Sequence, residues 1–296
     1  MTESMLDLRP MGIGEILDRS FRLYRDNFLA FFGILLVVNG SIYVVQHLAL
    51  LAASLLGQAG GATAAAIGAA AAGGMAGIVA LVLTPLAQGA LTLAVSERFL
   101  GRQLPVKEAY KRIMPRFLSL LGAGFFVWVV VVLGMLLLIL PGVYFLFAFL
   151  LTSVIVVLEG KKAIAAMGRS RELMRVKTEK GFFTFRSNTA KASIILLIIF
   201  SLQIVIVVIA AVMVALIAAA VHSPMGAGQA GLPWAAQAVI NGVTTLLQTT
   251  TAPFYTIAII LLYYDIRIRF EGFDLEMMAK SLGQESGAQS TVHANQ

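Results

Sequence analysis

The chain has 296 residues, of which 59% are hydrophobic and 12% are charged, and its mean hydropathy is +0.89. Soluble globular proteins have about 45–50% apolar and about 25% charged residues, so this composition excludes an ordinary soluble domain. The chain has no cysteine, which excludes disulfides and cysteine metal sites. The net charge of +7 does not by itself indicate a polyanionic partner, because membrane topology alone creates a basic excess.

The distribution of charge predicts the architecture. Four segments hold every charged residue: 1–27, 97–116, 159–191 and 265–296. Three runs between them contain no Asp, Glu, Lys or Arg: 28–96, 117–158 and 192–264. A bilayer crossing needs about 20 apolar residues of helix, so each run is long enough to cross twice and return. We therefore predict an all-α polytopic integral membrane protein with six transmembrane helices arranged as three hairpins.

The predicted crossings, in chain order, are 30–55, 76–96, 118–140, 142–158, 193–220 and 238–263. All four charged segments then lie on one face, which the positive-inside rule makes cytoplasmic, together with both termini. The opposite face is expected to receive only uncharged loops. These are the Gly/Ala-rich segment 57–75, a tight turn at Pro141-Gly142 and residues 223–236.

Residues 1–283 are predicted to form one membrane domain, and the polar composition of 284–296 predicts a disordered cytoplasmic tail. Apolar residues at helical spacing predict amphipathic interfacial helices on the cytoplasmic side. These helices lie in the N-terminal segment 1–28 and in the cytoplasmic segments 97–116 and 159–191. In the last of these segments, the apolar face is predicted to comprise Ile164, Met167, Leu173 and Met174.

The sequence contains no catalytic motif that we can identify. It lacks a phosphate loop, the two-histidine zinc motif of metalloproteases, and the serine nucleophile motifs of hydrolases and β-lactamases. The three histidines, His47, His222 and His293, are too far apart in the predicted topology to form a metal site. We therefore expect no enzymatic activity and no cofactor.

Polar residues inside the first, second and sixth helices allow two interpretations. They form a polar cavity for a lipid headgroup or a small solute, or they form hydrogen bonds between helices. The candidate residues are Asn39, Tyr43, Gln46, His47, Gln88, Asn241, Thr245 and Gln248. The charge-free runs contain no carboxylate, which argues against a proton- or sodium-coupled carrier.

Segment 159–191 is the most basic part of the chain, with nine basic and three acidic residues. One interpretation is docking onto anionic lipid headgroups, and the other is ordinary positive-inside topology. Nucleic acid is not expected as a partner, because no recognised nucleic-acid-binding fold accompanies the charge.

Four motifs are distinctive: the opening 8–28, Pro141-Gly142-Val143-Tyr144, Glu159-Gly160 with 169–174, and the ending 263–276. Together they resemble a bacterial family labelled as the membrane domain of glycerophosphoryl diester phosphodiesterase. The resemblance implies a stand-alone membrane domain of the bacterial plasma (inner) membrane. The phosphodiesterases of that family add a catalytic barrel of about 250 residues. No position here matches that barrel, so the resemblance supplies no catalytic residue.

The leading functional prediction is a non-catalytic scaffold or accessory membrane subunit. Its cytoplasmic motifs would bind a membrane or cytoplasmic protein, a second copy of the chain, or anionic lipid. The candidate interaction residues are Arg9, Asp18, Arg22, Glu159, Arg169, Arg171, Asp265, Arg267, Arg269, Glu271 and Asp274. The alternative is a lipid- or solute-handling protein that uses the polar cavity.

Overall fold

The computed structural model describes residues 11–175, 188–220 and 234–272. Their helices are α1 (Ile13–Asp26), α2 (Phe28–Phe99), α3 (Val106–Ile113), α4 (Phe117–Leu137), α5 (Ile139–Ala148), α6 (Thr152–Leu158), α7 (Ala163–Arg175), α8 (Asn188–Ala220) and α9 (Trp234–Glu271). A short 3₁₀ helix, Met114–Arg116, joins α3 to α4. The described residues contain no strand, which confirms the predicted all-α class.

Six helical stretches are long and apolar enough to cross a membrane. They are Phe28–Leu55, Ala66–Phe99, Val106–Leu137, Ile139–Leu158, Lys191–Ile217 and Trp234–Arg269. The predicted polytopic membrane fold with six membrane helices is therefore confirmed. The predicted tail 284–296 and most of the predicted loop 223–236 lie outside the described residues.

The first hairpin turns at a single residue, so the predicted loop 57–75 is wrong. Gly61 has φ +78° and ψ −173°, a conformation that is essentially restricted to glycine. The chain is helical on both sides of it, because alanine, which dominates this segment, is the best helix former. Small residues also let the two arms approach, since a Cβ on Gly68 would lie 2.9 Å from the Cβ of Ala53.

The second hairpin turns at Leu138, not at the predicted Pro141-Gly142. Leu138 is extended, with φ −161° and ψ 143°, and separates α4 from α5. Pro141 lies in the first turn of α5, where its missing N–H costs no intrahelical hydrogen bond. Gly142 packs against α4 so closely that an added Cβ would lie 2.7 Å from the backbone nitrogen of Met135.

The fourth membrane helix, predicted as continuous over 142–158, is broken between α5 and α6. A broken helix in a membrane needs partners for the backbone groups that it frees. Ser170 of α7 provides them, since its hydroxyl donates to the carbonyl of Ala148 at 2.8 Å. The same oxygen accepts a hydrogen bond from the backbone N–H of Leu151 at 3.2 Å. The side chain of Ser170 is fully buried and thereby fixes α7 against the break.

The predicted amphipathic helices occur as α1, α3 and α7, but the apolar face assigned to α7 is partly wrong. Its buried residues are Ala166, Ser170, Leu173 and Met174, whereas Ile164 is 72% exposed. The assignment missed Ser170 because a hydroxyl carries no apolar signal.

The main core of the described protein surrounds the C-terminal half of α9. Residues 257–264 of α9 are all 3% exposed or less, and α9 packs with α1, α2 and α8. Ion pairs and hydrogen bonds join the charged ends of the helices around this core. We call this end of the molecule, which contains Asp265, Arg169, Ser96 and their partners, the charged rim.

Candidate functional site: the charged rim and the polar helix contacts

The centre of the charged rim is the carboxylate of Asp265, which is fully buried. Its Oδ1 accepts hydrogen bonds from the backbone N–H of Met11 at 2.7 Å and from Arg269 Nε at 2.9 Å. Its Oδ2 pairs with Lys191 Nζ at 2.6 Å. Both cations also donate to the carbonyl of Met11. This Asp265 cluster therefore ties the start of α1 and the start of α8 to the end of α9.

A second group, the Arg169 cluster, joins α7 to the end of α9. Arg169 forms ion pairs with Glu172 at 3.2 Å, with Glu159 at 3.6 Å and with Glu271. Glu271 also accepts a hydrogen bond from Arg267 Nε at 2.9 Å. Arg169 and Glu271 are 102 positions apart in the chain, so this pair is a tertiary contact.

Tyr263 links the Arg169 cluster to the core. Its hydroxyl donates to Glu159 Oε1 at 3.0 Å, and the guanidinium of Arg267 lies 5.9 Å from its ring centroid. Glu159 also pairs with Lys161 at 3.0 Å. Six of the candidate interaction residues, in two predicted motifs, therefore meet in two clusters at one end of the fold.

Charge pairing shifts two pKa values in the Arg169 cluster. Burial raises the pKa of Glu271, but hydrogen bonds from Arg267 and Arg169 outweigh burial and hold this pKa below its ordinary value. Burial lowers the pKa of Arg169, but hydrogen bonds to Glu271 and Glu172 outweigh it and raise this pKa. Both shifts favour the charged forms, so Arg169 and Glu271 form an ion pair at neutral pH.

A third group of contacts joins the end of α2 to α9 at the rim. Ser96 and the hydroxyl of Tyr264 lie 2.6 Å apart, and the ring of Phe99 stacks on that of Tyr264 at a centroid distance of 5.0 Å. Glu97 pairs with Arg102 at 2.6 Å. Sequence reasoning missed Ser96 because a single serine at a helix end has no distinguishing pattern.

Other predicted interaction residues lie elsewhere. Asp18 and Arg22 form an exposed pair at 2.8 Å on α1, one helical turn apart. Arg171 is exposed on α7. Arg9 and Asp274 lie outside the described residues. Lys191 was not selected from the sequence, although it is the last charged residue before a long apolar run.

The polar residues of the first membrane helix contact α9. Asn39 Nδ2 donates to Thr249 Oγ1 at 2.9 Å, and the hydroxyl of Tyr43 donates to the carbonyl of Ala238 at 2.9 Å. His47 Nε2 lies 3.4 Å from Asn241 Nδ2. The first and sixth membrane helices are therefore joined by polar contacts at three levels.

The second membrane helix contributes one further bond to α9, from Thr256 Oγ1 to Gln88 Oε1 at 3.2 Å. Gln46 and Thr245 are half-buried, whereas Gln248 is exposed. The structure thus brings the polar residues of the first and second membrane helices to the sixth, α9. The partners Thr249 and Thr256 are both buried, and Thr256 was not predicted from the sequence.

Within the described ranges, no group of three or more His, Asp or Glu side chains is placed to hold a metal ion. Comparison of the chain with protein-family models, with curated proteins and with solved structures finds no match. Functional conclusions therefore depend on the geometry.

Proposed function

We propose that this multi-pass membrane protein is a non-catalytic scaffold or accessory subunit of the bacterial plasma membrane, with its charged rim and both termini in the cytoplasm. The Asp265 cluster is the observation that best supports this proposal. Three distant parts of the chain meet at one buried carboxylate. Such a rim offers a rigid surface, and a preformed surface binds with a smaller entropy cost than a mobile one.

One exposed part of this surface is α7 with the residue before it. Lys162, Arg171 and Arg175 are exposed there, whereas Arg169 is bound in its cluster. Ile164, 72% exposed, adds an apolar side chain to the same helix. A basic helix with an exposed apolar residue suits the headgroup region of anionic lipid, where each basic residue contributes about 1 kcal/mol.

The lipid part of the proposal is tested by reversing these charges. We expect the variant Lys162→Glu/Arg171→Glu/Arg175→Glu, purified from mixed bilayers, to retain fewer phosphatidylglycerol molecules in native mass spectrometry, with phosphatidylcholine retention unchanged. The matched control reverses Lys107 and Lys111, which are exposed on α3. An equal loss per charge in both variants would favour ordinary positive-inside topology over docking at α7.

The scaffold part is tested by crosslinking in native membranes. A photoreactive residue at Arg171 or Arg175 should give a discrete adduct, with a protein partner or with a second copy of the chain. The same residue at Gly124, where an added Cβ meets nothing within 4 Å, should give none. If neither rim position forms an adduct, the scaffold proposal fails.

The alternative, a polar cavity for lipid or solute, has less support. Asn39, Tyr43 and Gln88 direct their polar groups to α9, and such bonds are a common way to pack membrane helices. A cavity predicts that Asn39→Leu and Gln248→Leu both reduce retention of a bound lipid or solute. Packing predicts that Asn39→Leu lowers stability only.

A further inference from the structure

The first and second hairpins differ in how far they extend from the charged rim, and one contact provides a common reference level. A Cβ on Gly89 of α2 would lie 2.6 Å from Leu120 Cδ1 of α4 and 2.8 Å from Ile113 Cγ1 of α3. Gly89, Leu120 and Ile113 therefore lie at one depth. Arg112, next to Ile113, has a side chain that is 51% exposed. Its guanidinium lies 3.8 Å from the carboxylate of Glu97, near the rim end of α2, so the headgroup boundary lies on the rim side of this level.

The first hairpin is much longer than the second when measured from this level. At 1.5 Å per residue, α2 extends about 42 Å from Gly89 to its turn at Gly61. The helix α4 extends only about 26 Å from Leu120 to Leu137. A hydrocarbon core is about 30 Å thick. The Gly61 turn therefore passes through the core even at a tilt of about 40°, and it lies about 16 Å deeper than the Leu138 turn when the two hairpins run parallel.

The residues at the two turns match these depths. Leu136, Leu137, Leu138, Ile139 and Leu140 are consecutive aliphatic residues with exposed fractions between 68% and 82%. By contrast, Gln58 and Thr63 flank the Gly61 turn and are exposed. Each of five aliphatic side chains exposed at a water-facing turn would lose the free energy that transfer from water to an apolar medium provides.

The backbone of the second turn is also adapted to a medium without water. A helix begins with four N–H groups that lack intrahelical acceptors, and each costs several kcal/mol in lipid. In α5, one of these four groups is absent because Pro141 has no N–H. The N–H of Leu138 donates to the carbonyl of Gly134 at 3.1 Å. The turn thus removes two of the four unpaired donors of α5.

From these observations we infer that the α4–α5 hairpin ends inside the bilayer. Its tip, Leu136–Leu140, binds the acyl chains of the far leaflet and exposes no loop to water on that side. The membrane partner of this surface is lipid hydrocarbon. The hairpin is therefore an anchor in the far leaflet, whereas the Gly61 turn emerges into water.

The natural absence of cysteine makes the test direct. Single cysteines at Leu138, Thr63 and Lys107 are spin-labelled in the otherwise unchanged chain and reconstituted in nanodiscs, where both faces are accessible. We expect the label at Leu138 to collide with oxygen, which concentrates in lipid, several-fold more than with a water-soluble nickel chelate. The labels at Thr63 and Lys107 should show the reverse preference.

Leu140→Cys serves as a second tip variant, because this side chain is 82% exposed and its replacement removes little packing. Each variant must elute as a single species and label fully in detergent. Nickel accessibility at both tip positions equal to that at Thr63 would overturn the inference. Oxygen preference at Thr63 would overturn it too, because the difference in depth between the two turns would then be absent.

Discussion

The C-terminal half of α9 and the tip of the α4–α5 hairpin are both strongly apolar, yet they have opposite surroundings. Residues 257–264 are 3% exposed or less, whereas residues 136–140 are 68–82% exposed. The difference arises from neighbours: α1 and α2 pack on α9, whereas the hairpin packs mainly on itself. In a membrane protein, apolar composition therefore does not distinguish a side chain that contacts protein from one that contacts lipid.

The largest loss of stability is expected when the carboxylate at the centre of the rim is removed. Asp265→Ala leaves Lys191 and Arg269 without their buried counter-charge. Removing one partner of a buried pair costs about 3–5 kcal/mol, so the midpoint of thermal unfolding in detergent should fall sharply. Asp18→Ala is the control, because its pair with Arg22 is exposed and such pairs contribute about 0–1 kcal/mol. Equal decreases of the unfolding midpoint in the two variants would show that the Asp265 cluster does not stabilise the rim.

The next effect concerns the hairpin itself. Gly142→Ala places a Cβ 2.7 Å from the nitrogen of Met135, so the two legs must separate. Overpacking of this kind costs about 1–3 kcal/mol. The fraction of monodisperse protein in size-exclusion chromatography should fall. Gly124→Ala on α4, the other leg of the hairpin, has nothing within 4 Å of the added Cβ and should behave like the parent.

The junction between the two regions is tested at Ser170. Ser170→Ala removes the hydroxyl that binds Ala148 and Leu151 at the break of the fourth membrane helix. We expect a loss of about 1 kcal/mol for each hydrogen bond, measured as unfolding free energy, and faster proteolysis near the break. Ser153→Ala, on the exposed side of α6, is the matched control. If both variants unfold alike, Ser170 does not hold α7 to the break.

A smaller effect is expected inside the membrane. Asn39→Leu removes the bond to Thr249, and such contacts between membrane helices average about 0.6 kcal/mol. The unfolding midpoint should decrease slightly. Gln248→Leu, at an exposed position, should decrease it less or not at all. A larger loss for Gln248→Leu would contradict the packing interpretation.

The smallest effect is the pH dependence of the Arg169 cluster. The pKa of Glu271 is held below its ordinary value of 4.5, so its contribution to stability is complete above pH 4.5. That contribution is lost as the pH falls through the lower pKa of the folded state. Unfolding midpoints measured between pH 7 and pH 3 should therefore show an acid-side loss that is smaller in Glu271→Gln. An identical pH profile in that variant would exclude Glu271 as its source.

Prediction from the sequence succeeded for features that depend on one helix at a time. The six membrane helices and the amphipathic α1 and α3 follow from the periodicity and length of apolar runs. It failed at the turns, because Pro141 is tolerated inside the first turn of a helix as well as in a loop. It also missed Ser170, whose role depends on a broken helix about 20 positions earlier in the chain.

The sequence by itself determined that the charged segments stay together at one end of the molecule, because a charge inside lipid is too costly to be placed elsewhere. Only the tertiary structure decided which charges pair. Asp265 meets Met11 across 254 positions and Lys191 across 74, and no local pattern encodes a register between helices so distant in the chain. The difference in depth between the first and second hairpins likewise depends on a tertiary contact, the one between Gly89 and Leu120.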